Sequence, residues 1–202
     1  VNRYFDKKIS YYDSLSDAQQ SAMGDKYPKQ SKKVTTLYEK RRKQVHHLLH
    51  TMSREVINMA IAHGVDTIVI GDLTGIREAK NFGVKTNQRF HKWPFRKMAE
   101  LIRYKAALVG ISVVSVTEEY TSQTCSVCKE ISSKDNARKA NRKHRGLYIC
   151  NDCGTVVNAD LNGARNIAKK YLDTFCEQSQ DRPVVGLGRP WMYRFNGSRF
   201  VA

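Results

Sequence analysis

Four cysteines set in two pairs limit what this chain can fold into more than any other feature. Cys125 and Cys128 precede Cys150 and Cys153, so the quartet reads C-x2-C, a gap of 21 residues, then C-x2-C. Each pair sits at a tight turn that can present two thiolates to one tetrahedral ion, and the gap suits a zinc ribbon or hairpin. A redox C-x-x-C is the competing reading, but two such pairs at ribbon spacing favour metal. Four thiolates leave no position for water, so the zinc is expected to be structural. The pattern also points to a reducing compartment rather than to a disulfide framework. Cys176 is left over and reads as an ordinary half-buried thiol.

The loop between the pairs is dense in cations, among them Lys139, Arg142, Lys143 and Arg145. That bias runs through the whole chain: 35 lysines and arginines face 19 acids, for a formal charge of +16. Such an excess most often answers a polyanionic partner, and nucleic acid is the first expectation. An anionic membrane surface is the rival, but no apolar run approaches the roughly 18 residues that a spanning helix needs. No membrane partner is expected, and a cytoplasmic, nucleoid-associated location follows. A solvated surface loop is the bland alternative for the ribbon cations. The chain starts with valine in a polar basic segment, "VNRYFDKKIS", and so reads as a processed chain or a fragment.

Along the chain, residues 10 to 33 read as a helix remnant followed by a loop. Val45, Leu48, Leu49, Met52, Val56, Met59 and Ala60 recur at steps of three and four, predicting an amphipathic helix over about 34–63 that Gly64 stops. Its other face carries Arg41 and Arg42, candidates for phosphate contact. Residues 65–70, "VDTIVI", read as a strand buried on both faces. After a loop with Gly75 and Gly83, a helix starts at Pro94 with Met98, Leu101, Ile102, Lys105 and Leu108 at helical spacing. A second strand follows at 111–117. The alternation is α/β, and right-handed crossover makes the two strands parallel neighbours. A last helix is expected over 159–173 with Leu161, Ala164, Ile167, Ala168 and Leu172 as its stripe. The tail from 177 reads as a strap or as partly disordered.

Acids mark the ends of these elements. Asp72 closes the first strand, Glu118 and Glu119 close the second, and Asp160 stands in the first turn of the last helix. An acid at a helix start is commonly a capping device, and an exposed "EE" pair is commonly just solvated.

In order, "IVIGDLTGIRE", "YTSQTCSVC", "YICNDCG" and "NADLNGARNIAKKYL" resemble the C-terminal half of the TnpB family, transposon-encoded RNA-guided nucleases related to type V CRISPR effectors. The resemblance covers nearly the whole chain. It implies a partial RNase H-like (RuvC-like) sheet with helices and an inserted zinc ribbon, three carboxylates binding catalytic Mg²⁺, and DNA cut opposite a guide RNA. It divides the chain into a RuvC-like domain with its first strands missing (1–120), a ribbon (121–157), a final helix (158–176) and a tail (177–202). Hard Mg²⁺ takes carboxylate oxygens while the softer thiolates suit zinc.

Two departures follow from that likeness. Nothing upstream of residue 34 matches the family's first catalytic Asp, so the chain is expected to need the N-terminal half of the same protein and not to cut alone. Where the family commonly has a Glu at the end of the first visible strand, this chain has Gly71 and then Asp72. A slip of one residue turns a side chain to the opposite face, so Asp72 is not a simple replacement. Glu118 from the neighbouring strand is the favoured substitute, with Glu119 in reserve. Asp160 matches the family's last acid, and Asn162 and Arg165 on the same helix are candidates for orienting nucleic acid or a metal-bound water. The alternative function is a non-cutting nucleic-acid-binding zinc-ribbon protein derived from the family. A free-standing zinc-ribbon structural protein is disfavoured by the α/β pattern ahead of the cysteines.

Overall fold

The structure is a computed structural model that describes residues 1–72, 74, 94–130, 132–144, 146–175, 194–195 and 200–201. In chain order the elements are α1 (Asn2–Ala22), α2 (Lys32–Ala62), β1 (Thr67–Asp72), α3 (Phe95–Ala107), β2 (Ser112–Thr117), a 3₁₀ turn (Lys139–Asn141), β3 (Arg142–His144), β4 (Leu147–Ile149), β5 (Val156–Val157), α4 (Ala159–Phe175), β6 (Arg194–Phe195) and β7 (Phe200–Val201). The expected loop glycines Gly75 and Gly83, Arg145, Cys176 and most of the tail lie outside the described residues.

The sequence pattern led to α2 within two residues at its start and one at its end. Ser31 caps it, its hydroxyl accepting from the Val34 amide, and Gly64 follows it at φ +62°, the left-handed conformation that ends a helix without a Cβ penalty. The fully buried line runs through Leu49, Ser53, Ile57 and Ala60, while Val45, Leu48, Met52, Val56 and Met59 are half-buried beside it.

Helix α1 is the element the sequence hid. Where a remnant was expected there are 21 helical residues, and only two of them, Phe5 and Ile9, are buried. They pack with Val34, Leu37 and Tyr12, and Arg41 ties the pair of helices to Asp6 at 3.0 Å. So short an apolar stripe in a polar helix gives almost no periodic signal; the docking on α2 supplies the stability.

The main core joins Ile57 and Ala60 of α2, Ile102 and Ala106 of α3, and Ile111, with Ile68, Ile70, Met98 and Val113 packed around them. Lys105, placed in the apolar stripe by its spacing, is indeed 3% exposed. Its ammonium donates to the His50 carbonyl and to Ser53 Oγ, and burial holds its pKa below the usual lysine value. Leu108 leaves the stripe: the helix ends at Ala107, the chain turns at Gly110, and Leu108 is 64% exposed.

β1 and β2 pair in parallel from Thr67↔Ser112 to Asp72↔Thr117, as the crossover argument requires. β1 runs two residues further than expected, through Gly71 to Asp72, and both strands are only half-buried rather than covered on both faces. β3, β4 and β5 form a separate antiparallel sheet around the cysteines, and β6 pairs with β7. The molecule is thus a mixed α/β structure with small sheets. No described helix is long and apolar enough to cross a membrane.

Candidate metal centre and strand-end carboxylates

The four cysteines converge. Their sulfurs all lie within 4.8 Å of one another, with Cys125 and Cys153 at 3.8 Å and Cys128 and Cys150 at 3.7 Å. A tetrahedral ion with Zn–S bonds of about 2.3 Å requires sulfur separations of about 3.8 Å, so the spacing fits a four-thiolate ion. It is far too long for a disulfide, whose sulfurs are about 2.05 Å apart. Cys125 and Cys150 are buried, and Cys128 and Cys153 are exposed. Burial and the neighbouring sulfurs push the Cys128 thiol up, while a hydrogen bond with Thr155 Oγ1 draws Cys153 down to about 6.

A polar scaffold holds the knuckle. Tyr148 is fully buried behind the sulfurs, its hydroxyl donating to the Gln123 carbonyl and accepting from Asn141, and burial raises its pKa to about 12. From α4, Asn162 Oδ1 accepts the Ser126 amide, inside the first cysteine pair, and its Nδ2 donates to the Thr124 carbonyl at 2.8 Å. Asn166 Nδ2 donates to the carbonyls of Thr121 and Thr124. Ala159, Asn162, Arg165 and Asn166 are the buried residues of this helix among those described, whereas Ala164 of the expected stripe is exposed. Sequence reading named Asn162 and missed Asn166; the i, i+4 asparagine pair was the available signal.

The carboxylates stand where the strands end. Asp72 and Thr117 are the last register partners, and Glu118 is the first residue beyond the paired end of β2. The Asp72 carboxylate turns back on its own chain, accepting the Thr74 amide at 2.9 Å and the Thr74 hydroxyl at 2.6 Å, and those bonds lower its pKa. Glu118 does the opposite. Its carboxylate lies over Gly71, so closely that a Cβ built on Gly71 would fall inside it. Glu119 is exposed.

Asp160 follows Asn158, whose Oδ1 caps the amides of Asp160 and Leu161. Its own carboxylate is exposed and accepts from Arg142 of β3 at 3.2 Å. Among the described residues the cysteines are the one set of three or more His, Cys, Asp or Glu with ligand atoms within 4.8 Å; Asp72, Glu118 and Asp160 do not close into such a set.

Arg42, Lys139 and Lys143 are exposed, Arg41 is drawn to Asp6, and Arg142 to Asp160. Arg165 is buried, at 3% exposed.

Comparison with known families adds two matches. Residues 95–167, from α3 through the cysteine sheet into α4, match the family described as Cas12f1-like, TNB domain, and residues 1–77 match the family described as Probable transposase. The two matched segments are a Cas12f1-like domain and a transposase domain, and the relatives are named Cas12f1 and TnpB-like. The chain is 37% identical over 131 residues to the CRISPR-associated endodeoxyribonuclease Cas12f1 of Sulfoacidibacillus thermotolerans, covering 64% of this chain and 28% of that protein. It is 32% identical over 158 residues to a TnpB-like protein of Methanocaldococcus jannaschii, covering 76% of this chain and 54% of the relative. The chain thus spans about a quarter to a half of the length of these Cas12f1 and TnpB-like relatives. A Cas12f1 structure solved by cryo-EM with sgRNA and target DNA shares the fold at a TM-score of 0.54 and 24% identity, covering 80% of this chain and 42% of that one. A CRISPR-Cas12f ternary complex does so at 0.57, covering 81% and 32%.

Proposed function

We propose that this chain is the nuclease portion of an RNA-guided, Mg²⁺-dependent DNA endonuclease of the TnpB type, with an RNase H-like sheet cut short at its first strands. On this reading residues 1–120 form the RuvC-like domain, 121–157 a zinc ribbon, 158–176 the final helix and 177–202 a tail. The guide-binding half and the first strand-borne Asp come from sequence that these residues do not include. Guide RNA and target DNA are its partners, and the work is done in the cytoplasm at the nucleoid.

The observation that carries the reading is the Glu118 carboxylate over Gly71. Family resemblance puts a Glu where Gly71 stands, and here the neighbouring strand delivers a carboxylate into the space that a side chain at 71 would fill. Asp72, one residue on, is occupied with Thr74. Glu118 is therefore the acid we assign to the missing position, with Asp160 as the last acid of the set. Mg²⁺, when bound, would stabilise the attacking and leaving oxygens of the phosphodiester. Glu118 and Asp160 each carry hard oxygen donors of the kind such an ion takes, but among the described residues they do not by themselves close into a cation site, and the four cysteines would hold zinc for shape alone.

The exposed cations Arg42, Lys139 and Lys143 bind backbone phosphates, a contribution that weakens steeply with salt. A second reading, a binding module that does not cut, draws on Asp160: its carboxylate is already paired with Arg142. Guide-programmed cleavage by the full-length protein separates the two. Glu118→Gln should abolish cutting, and Asp72→Asn should leave it within a few-fold. Cutting that survives both substitutions would refute the assignment, and a full-length wild type that binds guide and target without cutting would establish the second reading.

A further inference from the structure

Helix α2 is covered by its neighbours near its two ends. α1 packs on it at Val34 and Leu37, and α3 at Ile57 and Ala60. Between those contacts lies a groove of about 550 Å³, lined by Tyr38, Arg42, Val45 and Leu49 of α2 and by Pro94 and Lys97 at the start of α3. Steps of four and three put the α2 side chains in one row, about 16 Å from Tyr38 to Leu49 along the axis.

The row is chemically mixed. Val45 is half-buried and Leu49 buried, so the floor is apolar, whereas Arg42 and Lys97 are exposed and form no ion pair among the described residues. Arg41 is paired with Asp6, and Arg42 and Lys97 outnumber Glu39, the acid on the lining. Tyr38 keeps 38% of its surface exposed while the Arg41 guanidinium sits 4.9 Å from its ring centroid. Asp6 holds that guanidinium at 3.0 Å, so the ring has a fixed backing. His46, also on the lining, is held against His50 with ring centroids 4.3 Å apart. Side chains ordered in advance lose little freedom on binding, which favours affinity.

An aromatic ring, an apolar floor and unpaired cations in one row suit a nucleotide. Bases of single strands splay out and stack on aromatic side chains, while cations track the phosphates. The volume is that of small-ligand sites, roughly 300–1,000 Å³, which suits bases presented one at a time rather than a duplex. An apolar peptide would leave Arg42 and Lys97 without a counter-charge, and the chain's 35 lysines and arginines against 19 acids draw in a polyanion.

We propose that this groove binds single-stranded nucleic acid, with a base stacked on Tyr38 and the adjoining phosphates held by Arg42 and Lys97. This rests on nucleic acid being the chain's partner and is independent of which acids act in cleavage.

The test is fluorescence anisotropy of short fluorescein-labelled RNA and DNA single strands titrated with the full chain. The variants are Tyr38→Ala, Tyr38→Phe, the double Arg42→Gln/Lys97→Gln and, as an equal loss of charge from exposed positions outside the groove, Lys40→Gln/Lys43→Gln. Tyr38→Ala should weaken the better-bound strand about 5–150-fold, and Tyr38→Phe, which keeps the ring, should bind like wild type. Loss of Arg42 and Lys97 should make the log–log salt slope shallower by about 1.4, at roughly 0.7 for each phosphate contact; loss of Lys40 and Lys43 should change it less. If the two double variants lose affinity and slope equally, or if Tyr38→Ala binds like wild type, the groove is overturned while nucleic-acid binding stands. If the wild type binds neither strand, the partner reading falls with it. Should Tyr38→Ala melt far below wild type, the Arg42→Gln/Lys97→Gln variant decides, because both side chains are exposed and unpaired among the described residues.

Discussion

Replacing Gly71 with alanine probes the carboxylate assignment with one methyl group. The backbone at Gly71 is not in the left-handed region, so alanine fits its conformation, and a glycine-to-alanine change inside a strand gains about 0.5–1 kcal/mol in backbone entropy. What it cannot fit is the Glu118 carboxylate, which already occupies the place of the new methyl. Carbon and oxygen settle at about 3.5 Å or more, so the carboxylate must retreat by more than about 1 Å. It can move because it is the far end of a flexible side chain rather than backbone. Stability and metal affinity should therefore separate: the melting temperature stays within a few degrees of wild type, while Mn²⁺ affinity falls about 10–100-fold, or about 1.4–2.8 kcal/mol. Calorimetric melting and Mn²⁺ titration on the same preparation measure both. Because the two residues touch, Gly71→Ala should add almost nothing in a Glu118→Gln background. Unchanged Mn²⁺ affinity in Gly71→Ala would refute the reasoning, since a displaced ligand cannot bind as before.

Other outcomes follow from the same structure. Elemental analysis should find one zinc per chain, and Cys150→Ser or a strong chelator should remove it together with the amide protection of Ser126, because the ion's binding energy is folding energy for so small a sheet. Asn162→Ala strands the buried Ser126 amide, while the Thr124 carbonyl keeps its bond from Asn166, and should cost about 1–3 kcal/mol in denaturant melts. His50 has its pKa lowered chiefly by burial, then by His46, Lys105, Lys97 and His47. The unfolded chain therefore takes up that proton first, and stability should fall as pH drops through about 6.5 toward the folded value; His50→Gln should flatten this slope in pH-dependent melting.

How far the sequence could be read depended on whether an element declares itself by its own pattern. α2 did, because 31 residues carry a long apolar line with a serine at one end and a glycine at the other. The strands and their parallel pairing did, through β-branched runs and crossover handedness. The cysteine centre did, because ligand spacing is a local property that survives any error elsewhere. α1 did not, since its two buried residues mean little until α2 is in place to receive them. The buried face of α4 was also hidden. Periodicity searches for apolar residues, and this helix turns asparagines inward, where the backbone of the cysteine knuckle supplies their partners.

That polar face gives α4 a role that neither the cysteines nor the acids reveal separately. Lys170 holds residues 117 and 119, Asn166 holds 121 and 124, and Asn162 holds 124 and 126, so the helix fastens the segment from the strand exit to the first cysteine pair in sequence order. The direction is antiparallel: the late turns of the helix meet Glu118's neighbours, and its first turn, with Asp160, lies against Arg142 of the cysteine sheet. Asp160 and Lys170 are ten residues apart, about 15 Å along the axis. The segment from Thr121 to Ser126 thus cannot shift along the helix without breaking buried hydrogen bonds. The acids and thiols stand close together in the sequence because the same helix has to grip both.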